Sequence, residues 1–206
     1  MNTSNHTNPA NLDVNNAGFP PAPSTAHQRA AGDSTTGEYF AQPFRDAAGF
    51  YFSDYEEYTE KAARLTDRYG DRVEEVELQA VDLDDAKTEL FNALNITQAS
   101  LESWFSDVEC LDQRDMAALF FLVTNNGYNL DDAMDKKDDV TLYEGCLLDA
   151  ATDLFDECYL CDLPENSPLR RYVDYESFAQ DLSASGEAAE FSLGGTTYTC
   201  TSANNC

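Results

Sequence analysis

The sequence predicts an α+β fold: three small domains in series, elongated, each too small to be stable alone. Three observations carry that prediction. Val73 to Asp82 alternates apolar and polar residues with a period of two, the pattern of a half-buried strand. Residues 83–137 change to a helical period. Near the C-terminus, Ala189–Leu193 and Thr196–Cys200 flank Gly194-Gly195, a pair that supplies the positive φ angles of a two-residue hairpin turn. The expected divisions are a disordered tail (1–36), an α+β domain with a short antiparallel sheet (37–82), a central helical domain (83–138) and a C-terminal α+β domain ending in a β-hairpin (139–206). Units of about 45–70 residues bury little surface, so they must lean on one another or on a second copy of the chain.

The elements follow in order. Residues 1–36 are rich in Asn, Ala, Thr and Pro, and only Phe19-Pro20-Pro21-Ala22-Pro23 is stiff; a polyproline ligand is the alternative to a plain tail. Glu38–Phe44 and Gly49–Phe52 flank a short polar turn and read as a hairpin. Ser53 reads as an N-cap with Glu56 closing a capping box. The helix it opens should run to about Tyr69 and stop at Gly70, packing Tyr55, Tyr58, Ala62, Leu65 and Tyr69. In the next strand Val76, Leu78 and Ala80 face in while Glu75, Glu77 and Gln79 face out. Leu90, Phe91 and Leu94 mark one helix. Leu101, Trp104, Phe105 and Val108 mark another, with Thr97 as its cap. Met116–Val123 is apolar nearly all round and should be the buried helix, with Gly127 just past its end. A short helix at Leu130–Met134 leads into a turn at Asp135–Asp139.

The C-terminal domain opens with a short strand and an amphipathic helix, whose stripe is Leu147, Ala151, Leu154, Phe155 and Cys158. Asp174 caps a helix over Tyr175–Leu182, the Gly-Gly hairpin follows, and residues 202–206 should fray.

Charge dominates the composition. The 206 residues hold 39 acids and 12 bases, a formal net charge of −27. Residues 1–36 contribute −1 and the remainder −26. Twelve Phe, eleven Tyr and a Trp, nearly all after residue 36, are enough to build a core, so the chain reads as folded with a highly charged surface rather than disordered. B-DNA carries one negative charge per about 1.7 Å, so a net of −26 equals roughly 44 Å of duplex. The chain is acidic enough to imitate DNA and too acidic to bind it over a general surface. No apolar run reaches membrane-spanning length, and the N-terminus has neither the basic region nor the apolar core of a signal peptide. A cytoplasmic location with mostly free cysteines is expected.

The residues disfavour catalysis. His6 and His27 are the only histidines and both lie in the tail, so the folded part has no imidazole base or ligand. There is no phosphate loop and no nucleophile elbow. Cys158-x-x-Cys161 has the spacing of a redox pair or half a zinc site. A zinc site needs a second pair, which Cys200 and Cys206 do not form. Redox pairs ordinarily open a helix, whereas this one closes one among Asp156, Glu157 and Asp162, so it reads as packing or inert thiols. The stretch from Asp131 to Tyr143 lacks the alternating ligands, central Gly and closing Glu of a calcium loop. Asp85-Ala86-Lys87 has the carboxylate–x–lysine of some metal nucleases but no other part of that motif. No catalytic residue, metal or cofactor is expected.

What remains is the surface. Carboxylates one helical turn apart stand about 5–6 Å apart at Cβ, broadly the spacing of successive phosphates. Such groups recur in each unit: Glu56, Glu57 and Glu60; Asp82, Asp84, Asp85 and Glu89; Glu102, Asp107, Glu109, Asp112 and Asp115; Asp131, Asp132, Asp135, Asp138 and Asp139; Asp149, Asp153, Asp156 and Glu157; Asp54 and the outward strand residues Glu75 and Glu77 add to the same surface. A single acidic run is ordinarily a solvated helix face. Repetition over three units, with few bases between, points to use of the charge itself.

Several stretches resemble the ArdA family of antirestriction proteins. They are Gly49-Phe50-Tyr51-Phe52-Ser53-Asp54-Tyr55-Glu56-Glu57-Tyr58, Leu101-Glu102-Ser103-Trp104-Phe105, Leu142-Tyr143-Glu144-Gly145, the helix from Leu148 to Glu157, and Tyr172-Val173-Asp174-Tyr175-Glu176-Ser177-Phe178-Ala179-Gln180-Asp181-Leu182. The likeness spans about 37–203. The last stretch is the most specific, although the family often carries Arg where this chain has Gln180. The tail, Cys158 and Cys161 are not family features. The resemblance implies three small domains in a curved, elongated arrangement and a homodimer formed through residues 139–203. It implies imitation of bent B-form DNA, which occupies the DNA groove of type I restriction-modification enzymes and blocks cleavage, sometimes methylation. The acids named above are then the mimicking surface, and no nucleic acid or membrane partner is expected. Two other classes fit the residues: an acidic inhibitor or adaptor of a different basic protein, such as a CRISPR effector or nucleoid protein, and a carboxylate-metal enzyme.

Overall fold

In the computed structural model, residues 38–161, 163–164 and 166–203 are described. The tail at 1–36, Gly37, Asp162, Glu165 and the last three residues lie outside them. The fold is α+β, with helices around two small antiparallel sheets.

The first sheet has the order β2-β1-β3, from β1 (Tyr39–Pro43), β2 (Phe50–Phe52) and β3 (Val76–Ala80). β1 is central and buried on both faces, which explains its near-continuous apolar run. Tyr39 pairs with Phe52 on one side and Ala80 on the other. β3 alternates as expected, with Val76 buried and Glu75, Glu77 and Gln79 exposed.

Helix α1 (Tyr55–Arg64) corrects two expectations. Its N-cap is Asp54, not Ser53: the Asp54 side chain accepts from Glu57 N at 2.8 Å, and Glu57 Oε2 accepts from Ser53 N at 2.8 Å. The box is shifted by one residue because Glu57, not Glu56, stands at the third helical position. The helix also ends five residues before Tyr69. Asp67 Oδ1 accepts the N–H groups of Tyr69 (2.8 Å) and Asp71 (3.0 Å), a local turn that competes with further helix. Tyr69 consequently lies outside the packed stripe at 76% exposure.

Helix α2 (Asp85–Ala93) is followed by α3 (Leu101–Ser103), which widens into a π-helical turn over Trp104–Val108. One regular helix capped by Thr97 was the expectation. Instead Thr97 N donates to Ser100 Oγ at 3.0 Å, and Glu109 N reaches back five residues to Trp104 O at 2.9 Å. Trp104 and Val108 are both fully buried, and the Glu109 carboxylate stands under Tyr39. α4 (Gln113–Asn125) is the expected buried helix, with Met116, Ala117, Ala118, Leu119, Phe121 and Leu122 all inside. α5 (Leu130–Lys136) and a 3-10 turn (Lys137–Asp139) follow.

The second sheet has the order β4-β6-β5, from β4 (Leu142–Glu144), β5 (Ala189–Leu193) and β6 (Thr196–Cys200). Gly194 and Gly195 make the predicted turn, at φ +56° and +77°. That turn docks on α2. Gly194 N donates to Glu89 Oε2 at 3.1 Å, and a Cβ on Gly194 would stand 2.9 Å from the backbone N of Ala86. α6 (Leu147–Tyr159) packs on α7 (Tyr175–Ser185), around a small cluster of Ala151, Ala179, Leu182 and Ala188. Cys158 is not in the α6 stripe; it is exposed, and the last-turn contact to Phe178 is made by the Tyr159 ring at 6.0 Å.

The main core joins Tyr39, Phe52, Phe91, Trp104, Leu119 and Phe121 to Leu193, Tyr198 and Cys200 of the second sheet. At its centre Trp104 Nε1 donates to the Tyr39 hydroxyl at 2.7 Å, and that hydroxyl donates to Glu109 Oε1 at 2.9 Å. The Tyr39 ring stacks on Phe52 at 5.4 Å and meets the Phe105 edge at 5.1 Å. Tyr39→Phe would keep the packing and orphan the buried indole N–H. A loss of about 1–3 kcal/mol is expected in urea unfolding, with the slope unchanged. Among the described residues no helix is long and apolar enough to cross a membrane.

Candidate functional site

The acids divide by what each carboxylate touches. One group starts helices. Asp54, Asp84 and Asp112 are the N-caps of α1, α2 and α4, each accepting the backbone N–H three residues on, at 2.8, 2.9 and 2.9 Å. A carboxylate is favoured there because four N–H groups lack partners and the helix dipole is positive. Asp174 does the same for α7. Its carboxyl is held below the usual range by the Ser177 N–H and then the Ser177 hydroxyl. The folded value is therefore the lower one, so the cap's contribution is full above the ordinary carboxylate range. It is lost as pH falls through the depressed value. Of these four caps the sequence reading had named only Asp174, and it also missed a fifth: Glu190 of β5 accepts from Leu147 N at 2.7 Å and caps α6, whose own N-cap, Cys146, makes no such bond.

A second group is engaged inside the fold. Glu57 pairs with Lys61 at 3.0 Å, Glu60 with Arg64 at 3.9 Å, and Glu109 and Glu89 accept from Tyr39 and Gly194 as described. Lys137 Nζ bridges Asp115 (2.7 Å) and Asp138 (3.0 Å), which joins the acids of α4 to those after α5; the two bonds raise the lysine pKa. Asp156 accepts from the Tyr175 hydroxyl at 2.6 Å and lies 3.5 Å from Arg170. Asp153 bonds the Tyr143 hydroxyl, and this holds the phenol above its usual pKa. Asp107, Asp132 and Asp149 accept from Ser106, Asn129 and Cys146.

A third group has no hydrogen bond or ion pair to any described residue: Glu56, Glu75, Glu77, Asp85, Glu102, Asp131, Asp135 and Glu157, all exposed. Of the expected surface only Glu57, Glu109, Asp115 and Asp156 are half-buried. The surface also has a polarity that the residue clusters hid. Arg45, Lys61, Arg64, Arg68 and Arg72 fall between residues 45 and 72, whereas residues 73–206 hold 29 acids and six bases. Residues 45–72 hold seven acids against those five bases, so this part is only weakly negative; there Arg68 N donates to Asp46 O at 3.3 Å, and the Arg68 guanidinium reaches the Asp46 carboxylate at 2.6 Å. The strongest negative field therefore belongs to the helices and strands from β3 onward.

No family model, curated protein or solved structure matches this chain. The functional reading rests on its own residues. Among the described residues no group of three or more His, Cys, Asp or Glu side chains is gathered to hold a metal ion. One cleft of about 330 Å³ lies between the start of α4 and the second sheet, lined by Asp112, Gln113, Arg114, Leu142, Glu144 and Tyr198. Sequence reading missed it because its walls come from residues far apart in the chain. Its lining sets the carboxylates of Asp112 and Glu144 and the Arg114 guanidinium beside the Tyr198 ring, a polar contact surface of mixed charge. What the arrangement offers chemically is fixed anions, many of them anchored by helix starts, displayed on a rigid aromatic core.

Proposed function

We propose that this chain is an antirestriction protein of the ArdA kind, an acidic mimic of DNA. It occupies the DNA groove of a type I restriction-modification enzyme and blocks cleavage. The observation that carries the reading is the set of exposed, cation-free carboxylates on β3, α1, α2, α3, α5 and α6, on a chain whose residues 73–206 have a net charge of −23. That charge equals about 39 Å of duplex, and two copies roughly twice as much. Support comes also from the resemblance of Tyr172–Leu182 and Gly49–Tyr58 to the family. The reading carries three small domains in elongated series, a homodimer through residues 139–203, a cytoplasmic location and no enzymatic activity.

The test is competition. The full chain is titrated into a type I enzyme holding a labelled specific duplex, and displacement near one dimer per site is expected. Absence of displacement at low salt would sink the reading and leave an acidic inhibitor of another basic protein as its successor. Affinity should fall by about 10³-fold or more between about 50 and 200 mM salt, as phosphate-dominated binding does. An affinity flat over that range would speak against mimicry. Small-angle scattering should report an extended dimer, and a compact monomer would remove both the dimer and the elongated arrangement.

A further inference from the structure

The last turn of α6 carries two thiols that the acidic surface does not use. Cys158 and Cys161 are both exposed and free. Cys158 lies in the final turn of the helix, Leu160 is its C-cap at φ −107° and ψ 2°, and Cys161 follows. Three residues along a helical turn separate Cα atoms by about 5 Å. That lies inside the span a disulfide bridges, about 4.4–6.8 Å. The Cβ atoms must approach by about 1 Å more, which the non-helical Cys161 permits. The segment between them is held in place. Leu160 is buried, its carbonyl accepts from Arg170 Nη2 at 2.9 Å, and the same nitrogen donates to Leu163 O at 3.2 Å. The other described thiols differ: Cys110 is exposed without a near neighbour in sequence, Cys146 Sγ donates to Asp149 at 3.1 Å, and Cys200 is buried.

We propose that Cys158 and Cys161 form a reversible intramolecular disulfide, a thiol modification site at the end of α6. The co-reactant is a low-molecular-weight disulfide such as glutathione disulfide. The thiolate of one cysteine attacks it, breaking its S–S bond and releasing one glutathione thiol. The second cysteine's thiolate attacks the protein sulfur of the mixed disulfide, the Cys158–Cys161 bond forms, and the second glutathione leaves. The pair gives up two electrons and two protons; glutathione disulfide takes them up as two thiols. The site does not depend on the DNA-mimic reading, and its readout is separate from displacement.

The full reduced chain is equilibrated in glutathione buffers of rising oxidised fraction, trapped with an alkylating agent and mapped by mass. Cys158 and Cys161 should lose alkylation together, with a loss of about 2 Da and no retained glutathione, while Cys110 remains alkylated or carries one adduct. In Cys158→Ser and Cys161→Ser the remaining thiol of the pair should keep its glutathione, a gain of about 305 Da. The oxidised fraction needed for half conversion should be at least about tenfold lower for the folded chain than in urea, because the fold holds the pair together. Independent adducts on Cys158 and Cys161, a bridge from either to another cysteine, or equal midpoints folded and unfolded would each overturn the proposal.

Discussion

Replacing eight exposed acids whose carboxylates touch no described residue by amides, as Glu56→Gln, Glu75→Gln, Glu77→Gln, Asp85→Asn, Glu102→Gln, Asp131→Asn, Asp135→Asn and Glu157→Gln together, is expected to cut displacement of DNA from the target sharply while leaving the fold intact. None of these side chains bonds to a described residue, so none holds an element in place. An exposed charge contributes about 0.2–1 kcal/mol to an ion pair, so eight amount to about 1.6–8 kcal/mol, a loss of roughly fifteenfold to 10⁶-fold. Each single change should weaken binding less than about sixfold. Stability should change little, because the fall in self-repulsion is set against the lost dipole interaction of the first-turn acids Glu56, Asp85, Glu102 and Asp131. A single substitution that abolished binding would point to a discrete site. An eightfold variant that bound normally would remove these carboxylates from the contact altogether. The cap residues supply the control. Asp54→Asn, Asp84→Asn and Asp112→Asn remove three charges and keep side-chain acceptors, whereas Ala at the same positions costs about 0.5–2 kcal/mol each. Affinity should track the charge and stability should track the cap.

Gly194→Ala should destabilise the chain strongly, because it combines a left-handed backbone with a close approach to α2. The residue stands at φ +56°, and its new Cβ would lie 2.7 Å from Ala86 Cβ and 2.9 Å from Ala86 N. The left-handed conformation costs about 1–2 kcal/mol. Overpacking against backbone adds about 1–3 kcal/mol. The turn cannot retreat freely, since Gly194 N is bonded to Glu89 and both strands are paired. Gly195→Ala separates the two effects. It stands at φ +77° with nothing within 4 Å of the new Cβ, so only the conformational part should appear. Equal midpoints for the two variants in urea unfolding would show that the hairpin's seat on α2 contributes nothing.

Local rules were legible in the sequence wherever one rule acted alone. The Gly-Gly hairpin, the alternation of β3 and the apolar α4 needed no tertiary information. The errors fell where two local signals competed. Ser53 and Asp54 are both good caps, and the position of Glu57 decided between them. The Tyr55–Tyr69 stripe has helical spacing, but Asp67 captures two backbone N–H groups and ends the helix first. At Leu101–Val108 the spacing allowed a regular helix, and the burial of Trp104 over Tyr39 accompanies a wider turn that no local pattern announces. The acidic surface was visible as residue clusters. What the sequence concealed was the division of labour within them, because an N-cap, a tertiary acceptor such as Glu109 and a free carboxylate look alike until their neighbours are known.

The seat of the β5–β6 hairpin on α2 sets an order on the birth of the molecule. Leu193, Tyr198 and Cys200 belong to the same core as Tyr39 and Trp104, yet they leave the ribosome well after them. Domains generally fold as they are synthesised, but here α2 and α4 emerge with part of their apolar surface uncovered, waiting for a hairpin roughly 70 to 100 residues downstream. In that interval the carboxylates act as a built-in solubiliser: a nascent chain of high negative charge repels its neighbours on the polysome while its core stands open. The same anions then serve the unfinished chain before they serve any partner.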